Sequence, residues 1–92
     1  MRKFDFKASF VRCYGDLERQ DKAKTDRALQ FLAASLEVGE LRHGLGIKKL
    51  RNDFWEMRVD LRLRICFELK KEVVDFILLG GHDEIRNFLK NN

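Results

Sequence analysis

Proline is absent from the 92 residues, and cysteine and histidine occur only twice each. With no proline and no low-complexity run, disorder is expected only in the last residues. Cys13 and Cys66 lie far apart and match no metal-ligand spacing. With so few histidines, no structural zinc site is expected, and no other metal or cofactor. Free thiols, buried or half-buried, are predicted, which suits a reducing cytoplasm. No apolar stretch approaches the roughly 20 residues needed to span a membrane. Residues 1–6 lack the apolar run of a secretory signal. The expectation is a cytoplasmic protein with no membrane association.

What is present is an ordinary apolar fraction of 45%, with eight phenylalanines to build a core. A chain this short buries only about 60–65% of its unfolded surface, enough for one domain over 1–92 without staples. The net charge of +4 leans toward nucleic acid, an acidic partner or an anionic surface. Charge alone does not choose among them, since many small basic domains bind no nucleic acid.

Residues 54–69 carry the strongest pattern. Trp55, Met57, Val59, Leu61, Leu63, Ile65, Phe67 and Leu69 occupy the odd positions. The even positions from Glu56 onward are charged or hold Cys66. Strict alternation predicts β-structure with one face on a core and one facing out. A single strand of this length exceeds the usual 5–6 residues or so. A hairpin turning near Asp60, Leu61 and Arg62 is therefore predicted. A three-residue loop keeps the odd–even phase on both arms, which a two-residue loop does not. That register sets Arg58 opposite Arg64, a like-charge pairing worth up to about 0.2–1 kcal/mol of repulsion. A bound phosphate would relieve it.

Elsewhere, residues 3–7 alternate as a short strand. Ser9 is read as the cap of a helix beginning at Phe10, with Phe10, Val11, Tyr14 and Leu17 on one stripe. Gly15 weakens it, and a break follows. A second helix is predicted over 21–38, with Thr25, Ala28, Leu29, Leu32, Ala33 and Leu36 inward, Phe31 at the edge and Gly39 as C-cap. Residues 40–46 form a loop carrying His43, residues 47–50 lead to the hairpin, and Asn52 and Asp53 suggest a turn. Residues 73–79 read as a central strand. Gly80 and Gly81 end it before a short C-terminal helix with Ile85, Phe88 and Leu89 on its apolar edge. The predicted fold class is α+β: two N-terminal helices packed on one face of a mainly antiparallel four-stranded sheet, with a short C-terminal helix. The other face of the sheet is left free to act.

This order, with Lys49-Leu50-Arg51 before Trp55-Glu56-Met57-Arg58-Val59, then Leu63-Arg64-Ile65-Cys66-Phe67 and Ile77-Leu78-Leu79-Gly80-Gly81-His82-Asp83, resembles the RelE/ParE toxin superfamily of toxin–antitoxin systems. Within it the pattern looks like the RelE-type members. The resemblance runs over nearly the whole chain, and the ordered combination is more specific than any one short motif. RelE-like toxins are compact ribonucleases that enter the ribosomal A site and cut the mRNA codon there without a metal. The resemblance thus implies an mRNA interferase, a metal-independent and ribosome-dependent endoribonuclease that inhibits translation. Its partners would be the ribosome, mRNA and a cognate antitoxin, and it would need no cofactor. ParE-like relatives share the fold but inhibit DNA gyrase. A gyrase inhibitor, or an inactive relic that still binds its antitoxin, therefore stands as an alternative.

On this resemblance the candidate catalytic residues are Lys49, Arg58, Arg64 and His82. Lys48, Arg51, Arg62 and His43 are candidate RNA contacts. Attack of a 2′-OH on the phosphate gathers negative charge that a guanidinium fork matches. The plain alternative is that Arg58 and Arg64 are solvated and paired with Glu56, Asp60 or Glu68. Lys49 matches the family's basic position before Leu and would stabilise the transition state or take the 2′-OH proton; otherwise it is an exposed lysine on a basic edge. His82 carries an imidazole, the side chain suited to proton transfer near neutral pH, just after the last strand; otherwise it bonds backbone at the start of a helix. Asp83 is read as the N-cap there, Trp55 as core, and Cys66 as a spacer rather than a nucleophile.

Overall fold

The structure, a computed structural model, describes residues 2–39, 41 and 46–91. The chain runs β1 (Lys3–Phe6), α1 (Ala8–Gly15), α2 (Arg19–Glu37), β2 (Ile47–Lys49), β3 (Phe54–Arg58), β4 (Arg64–Leu69), β5 (Val73–Gly80) and α3 (His82–Lys90). Among the described residues the strands form one sheet in the order β1-β5-β4-β3-β2. β1 runs parallel to β5, and every other neighbouring pair is antiparallel.

The α+β class stands, but the four-stranded count does not: the sheet has five strands and is mixed. The additional strand is β2, whose Ile47, Lys48 and Lys49 pair with Met57, Glu56 and Trp55. Three residues are too few for alternation to register, and pairing with β3 decides the matter. Asn52 makes the connection at φ 52°, a left-handed conformation that asparagine tolerates.

Ser9 caps nothing. Helix α1 begins two residues earlier than expected, at Ala8, with Lys7 at its N-cap, and the Ser9 hydroxyl donates instead to the Ile77 carbonyl. Ile77 sits at a β-bulge: Cys66 faces Leu78 and Phe67 faces Phe76, which leaves Ile77 opposite no residue of β4. The bulge shifts the phase of β5 by one residue, so Phe76 and Leu79 both reach the same core.

That core joins α1 and α2 to one face of the sheet, with Phe10 and Leu32 against Ile47, Met57, Ile65, Phe67, Val74, Phe76 and Leu79. Phe76 is its aromatic hub, with ring centroids 4.8 Å from both Phe4 and Phe6, 5.8 Å from Phe10 and 5.9 Å from Phe67. Truncating such a residue costs about 3–5 kcal/mol.

The second face is not left free. Phe54 alternates away from Trp55 and Met57, and its ring meets Phe88 of α3 edge-on at 5.7 Å. Helix α3 thus lies across the face opposite α1 and α2. Ile85, buried, belongs to this second layer rather than to the main core. Cys66 and Glu56, expected on an outward face, are buried.

Toward the β1 edge of the sheet, Asp75 pairs in register with Asp5 and with Glu68. Buried at 3% exposure, it lies 2.8 Å from Lys70 Nζ and 3.6 Å from Lys7 Nζ. The Lys70 hydrogen bond, with help from Lys7, holds the Asp75 carboxyl below its ordinary range. A carboxyl whose folded pKa is lowered adds stability above the unfolded value, near pH 4, and loses it as pH falls through the folded value. Asp75→Asn should therefore be less stable than wild type at pH 7, with the two converging on acidification. Urea midpoints at pH 7 and at pH 3 measure this, and equal gaps at both would refute it.

Candidate functional site

The β3–β4 hairpin closes with a three-residue loop: Val59 N–H donates to Leu63 O, leaving Asp60, Leu61 and Arg62 between them. The Asp60 carboxylate accepts the backbone N–H groups of Arg62 and Leu63 at 2.8 and 2.9 Å. With a contact to Lys24, these bonds hold the Asp60 carboxyl below its usual range. The turn fixes the register, and Arg58 stands directly opposite Arg64. Gly46, at φ 81°, brings its carbonyl 2.7 Å from the Arg58 backbone N–H. A Cβ at Gly46 would stand 3.4 Å from the Arg58 Cβ, and side chains rarely adopt that φ.

The repulsion expected between the two arginines is resolved on one side. Arg64 turns to Glu56, its NH1 2.9 Å from Oε2, and the two side chains are 18% and 6% exposed. Arg58 is exposed and makes no ion pair with any described residue. Glu56 was foreseen only as a surface partner. Its burial was hidden because alternation gave no sign that α3 would cover its face.

His82 opens α3. Its Nδ1 lies 3.5 Å from Arg64 NH1 and its Nε2 3.1 Å from Arg86 NH2. A guanidinium only donates, and a neutral imidazole has one acceptor nitrogen. The ring therefore satisfies one arginine at a time and keeps its other nitrogen available. Arg86 was missed by sequence reading, although its i+4 spacing from His82 on a helix was the available signal. Asp83 is not the cap. Gly81 holds that position, and its N–H donates to Glu84 Oε1 at 3.0 Å. A Cβ at Gly80 would stand 2.9 Å from the Glu84 carboxyl carbon, so glycine there clears room for this bond.

The register divides the lysines. Lys48 pairs with Glu56 and so shares the face of Arg58, Arg64 and His82, whereas Lys49 pairs with Trp55 on the α1–α2 face. Both are exposed on the edge strand. Arg51 is drawn away from this group, since its guanidinium donates to the Leu89 carbonyl near the end of α3. Arg62 is exposed at the hairpin tip, and its carbonyl lies 3.7 Å from where a Gly81 Cβ would stand, so the tip abuts the start of α3. His43 lies outside the described residues. Burial, and then the carboxylates of Glu56 and Glu68, push the Cys66 thiol up to about 12, which makes it a poor nucleophile. Among the described residues no three His, Cys, Asp or Glu side chains are grouped to hold a metal ion.

The result is an imidazole between the guanidiniums of Arg64 and Arg86, with Arg58 opposite Arg64 in the register and Lys48 on the neighbouring edge strand. Such a group can bind a phosphodiester, stabilise charge growing on its oxygens and move one proton.

No protein-family model matches the chain, and no curated protein matches it. Solved structures do. YafQ, in the DinJ–YafQ complex of E. coli, is 16% identical over 92% of this chain and 98% of its own, with a TM-score of 0.67. RelE, in the RelB–RelE antitoxin–toxin complex of Methanococcus jannaschii, is 16% identical over 91% of this chain and 96% of its own, at 0.68. The YoeB dimer of Staphylococcus aureus is 15% identical over 88% of this chain and 97% of its own, also at 0.68. The chain therefore has the fold of these toxins across nearly its whole length.

The ion pair under the site has a measurable weight. Removing one partner of a buried pair strands the other charge and costs about 3–5 kcal/mol. Arg64 is partly exposed, so Glu56→Ala should sit at the low end, about 3 kcal/mol. Glu56→Ala combined with Arg64→Ala should lose less than the sum of the single changes. A double-mutant cycle on urea unfolding tests this, and strict additivity would show the pair to be idle.

Proposed function

We propose that the chain is a single-domain toxin of a toxin–antitoxin pair, a metal-independent endoribonuclease that cuts mRNA in the ribosomal A site and so blocks translation in the cytoplasm. One observation carries this reading: His82 stands between two guanidiniums, Arg64 and Arg86, on the same sheet face as Arg58. The fold of YafQ, RelE and YoeB supports it.

In this reading the 2′-oxygen of the A-site nucleotide bonds to phosphorus as the bond to the 5′-oxygen breaks. The 2′-OH proton leaves to a base, and a proton must reach the departing 5′-oxygen. The free nitrogen of His82 serves as the proton-transfer group. Arg58 and Arg64 take the charge that builds on the non-bridging oxygens, a role suited to donors already held in place. Arg86 flanks the same phosphate. Of the two lysines, the register favours Lys48 beside the scissile phosphate, with Lys49 on the RNA-facing edge of β2. Arg62 touches the backbone from the hairpin tip, and Arg51 braces α3. His43 is an RNA contact in the same proposal.

A cognate antitoxin is the second partner. RelE and YafQ were each solved with one, RelB and DinJ. The net charge of +4 favours an acidic segment laid over the basic face. No described helix is long and apolar enough to cross a membrane.

Added to a translation extract, the wild-type protein should leave mRNA cut within codons, mapped by primer extension. His82→Ala, on an exposed side chain, should fold normally and lose about 10²–10⁴-fold in rate. Message left whole by the wild type overturns the ribonuclease reading, and whole message with blocked DNA supercoiling moves the chain to gyrase inhibition.

A further inference from the structure

A groove of about 510 Å³ runs between α2 and the turn end of the β3–β4 hairpin, away from His82. Its floor is Met57 and Val59. One wall is a single face of α2, where Lys24, Arg27, Ala28 and Phe31 follow at helical spacing, and Arg58 and Asp60 form the opposite lip. Two features are unusual for the side of a solvated helix. Phe31 is a large apolar side chain 45% exposed in the groove wall. Arg27 and Arg58 have no ion-pair partner among the described residues. Asp60, the acid among the described lining residues, is already engaged: it holds the turn backbone and lies 3.4 Å from Lys24 Nζ. The groove is therefore cationic with an open aromatic face, and Arg58 links it to the site opposite Arg64.

We infer that this groove is the seat for single-stranded RNA flanking the scissile phosphate, with one base stacked on Phe31 and a backbone phosphate held by Arg27. The inference rests on the ribonuclease reading for the direction from which the strand arrives. Charge complementarity selects a polyanion. The aromatic face selects a nucleic acid over an acidic peptide, because every base offers a stacking surface and an aspartate or glutamate offers none. The volume lies within the range of sites that enclose small ligands, about 300–1,000 Å³, so it admits a nucleotide. Each lost phosphate contact on a single strand lowers the salt dependence of binding by about 0.7 in log–log slope.

The test uses the full chain and a fluorescein-labelled single-stranded RNA with 2′-O-methyl riboses, which binds but cannot be cut. Anisotropy titrations across a salt series compare wild type with Phe31→Ala and Arg27→Gln, each checked for folding by thermal melting. Phe31→Ala should weaken binding about 5- to 100-fold with the slope unchanged. Arg27→Gln should lower the slope by about 0.7. Phe31→Leu, which keeps the apolar bulk without the aromatic face, should behave like Phe31→Ala. Folded variants that bind RNA as the wild type does overturn the inference, as does loss of binding to a labelled poly-glutamate peptide with RNA binding intact. Wild type that binds RNA through Phe31 and Arg27 but cuts no message defeats the ribonuclease reading alone. Wild type that cuts message while both variants bind normally defeats the groove alone.

Discussion

The buried contact between Glu56 and Arg64 is the constraint on which the site depends. A carboxylate on the floor of a sheet must be matched by a cation, and the β3–β4 register offers two, side by side. Only Arg64 turns inward, which removes it from open competition with Arg58 and fixes its guanidinium beside the start of α3. His82 then meets a guanidinium anchored by its pair with Glu56. Arg58 remains as the exposed charge. A single acid thus converts a repulsive pair into one anchored and one available arginine.

The register that makes this possible belongs to a loop of three residues, and the sequence announced it. Unbroken odd–even phase through Asp60, Leu61 and Arg62 is compatible with a three-residue connection, and Asp60 supplies the acceptor such a turn requires. The α+β class, both N-terminal helices, the hairpin and the C-terminal helix were equally legible, because each spans enough residues for periodicity to speak. What was not legible depended on contacts between distant segments. β2 is a strand only because β3 lies beside it. Ser9 follows the pattern of a cap, yet the bulge at Ile77 presents a free carbonyl that it meets instead. The covered second face of the sheet rests on Phe88 meeting Phe54, which no local pattern reveals.

The site residues divide along the same line. Arg58, Arg64 and His82 could be named from their motif; Arg58 stands opposite Arg64 in the register, and His82 Nδ1 lies 3.5 Å from Arg64 NH1. Lys48 and Lys49 are adjacent in sequence and opposite in orientation, so choosing between them needs the pairing of β2 and not the order of residues. Arg86 had no motif to mark it and gains meaning only from the imidazole one helical turn before it. At an identity of 15–16% to YafQ, RelE and YoeB, this chain keeps their framework.

The parallel pairing of β1 with β5 has a consequence for how the molecule is made. Arg2 bonds the Lys70 carbonyl, and Ser9 bonds that of Ile77, across 68 residues in each case. Contacts so distant in sequence form only after a large loop has closed, and they slow folding relative to local ones. While the chain is being synthesised, the first strand has no neighbour until β5 has emerged, and His82 follows it. Arg64 and the His82 imidazole therefore come together only after β5 and the start of α3 have emerged. A nascent chain still threading its own ribosome carries the parts of the site in separate, unassembled pieces.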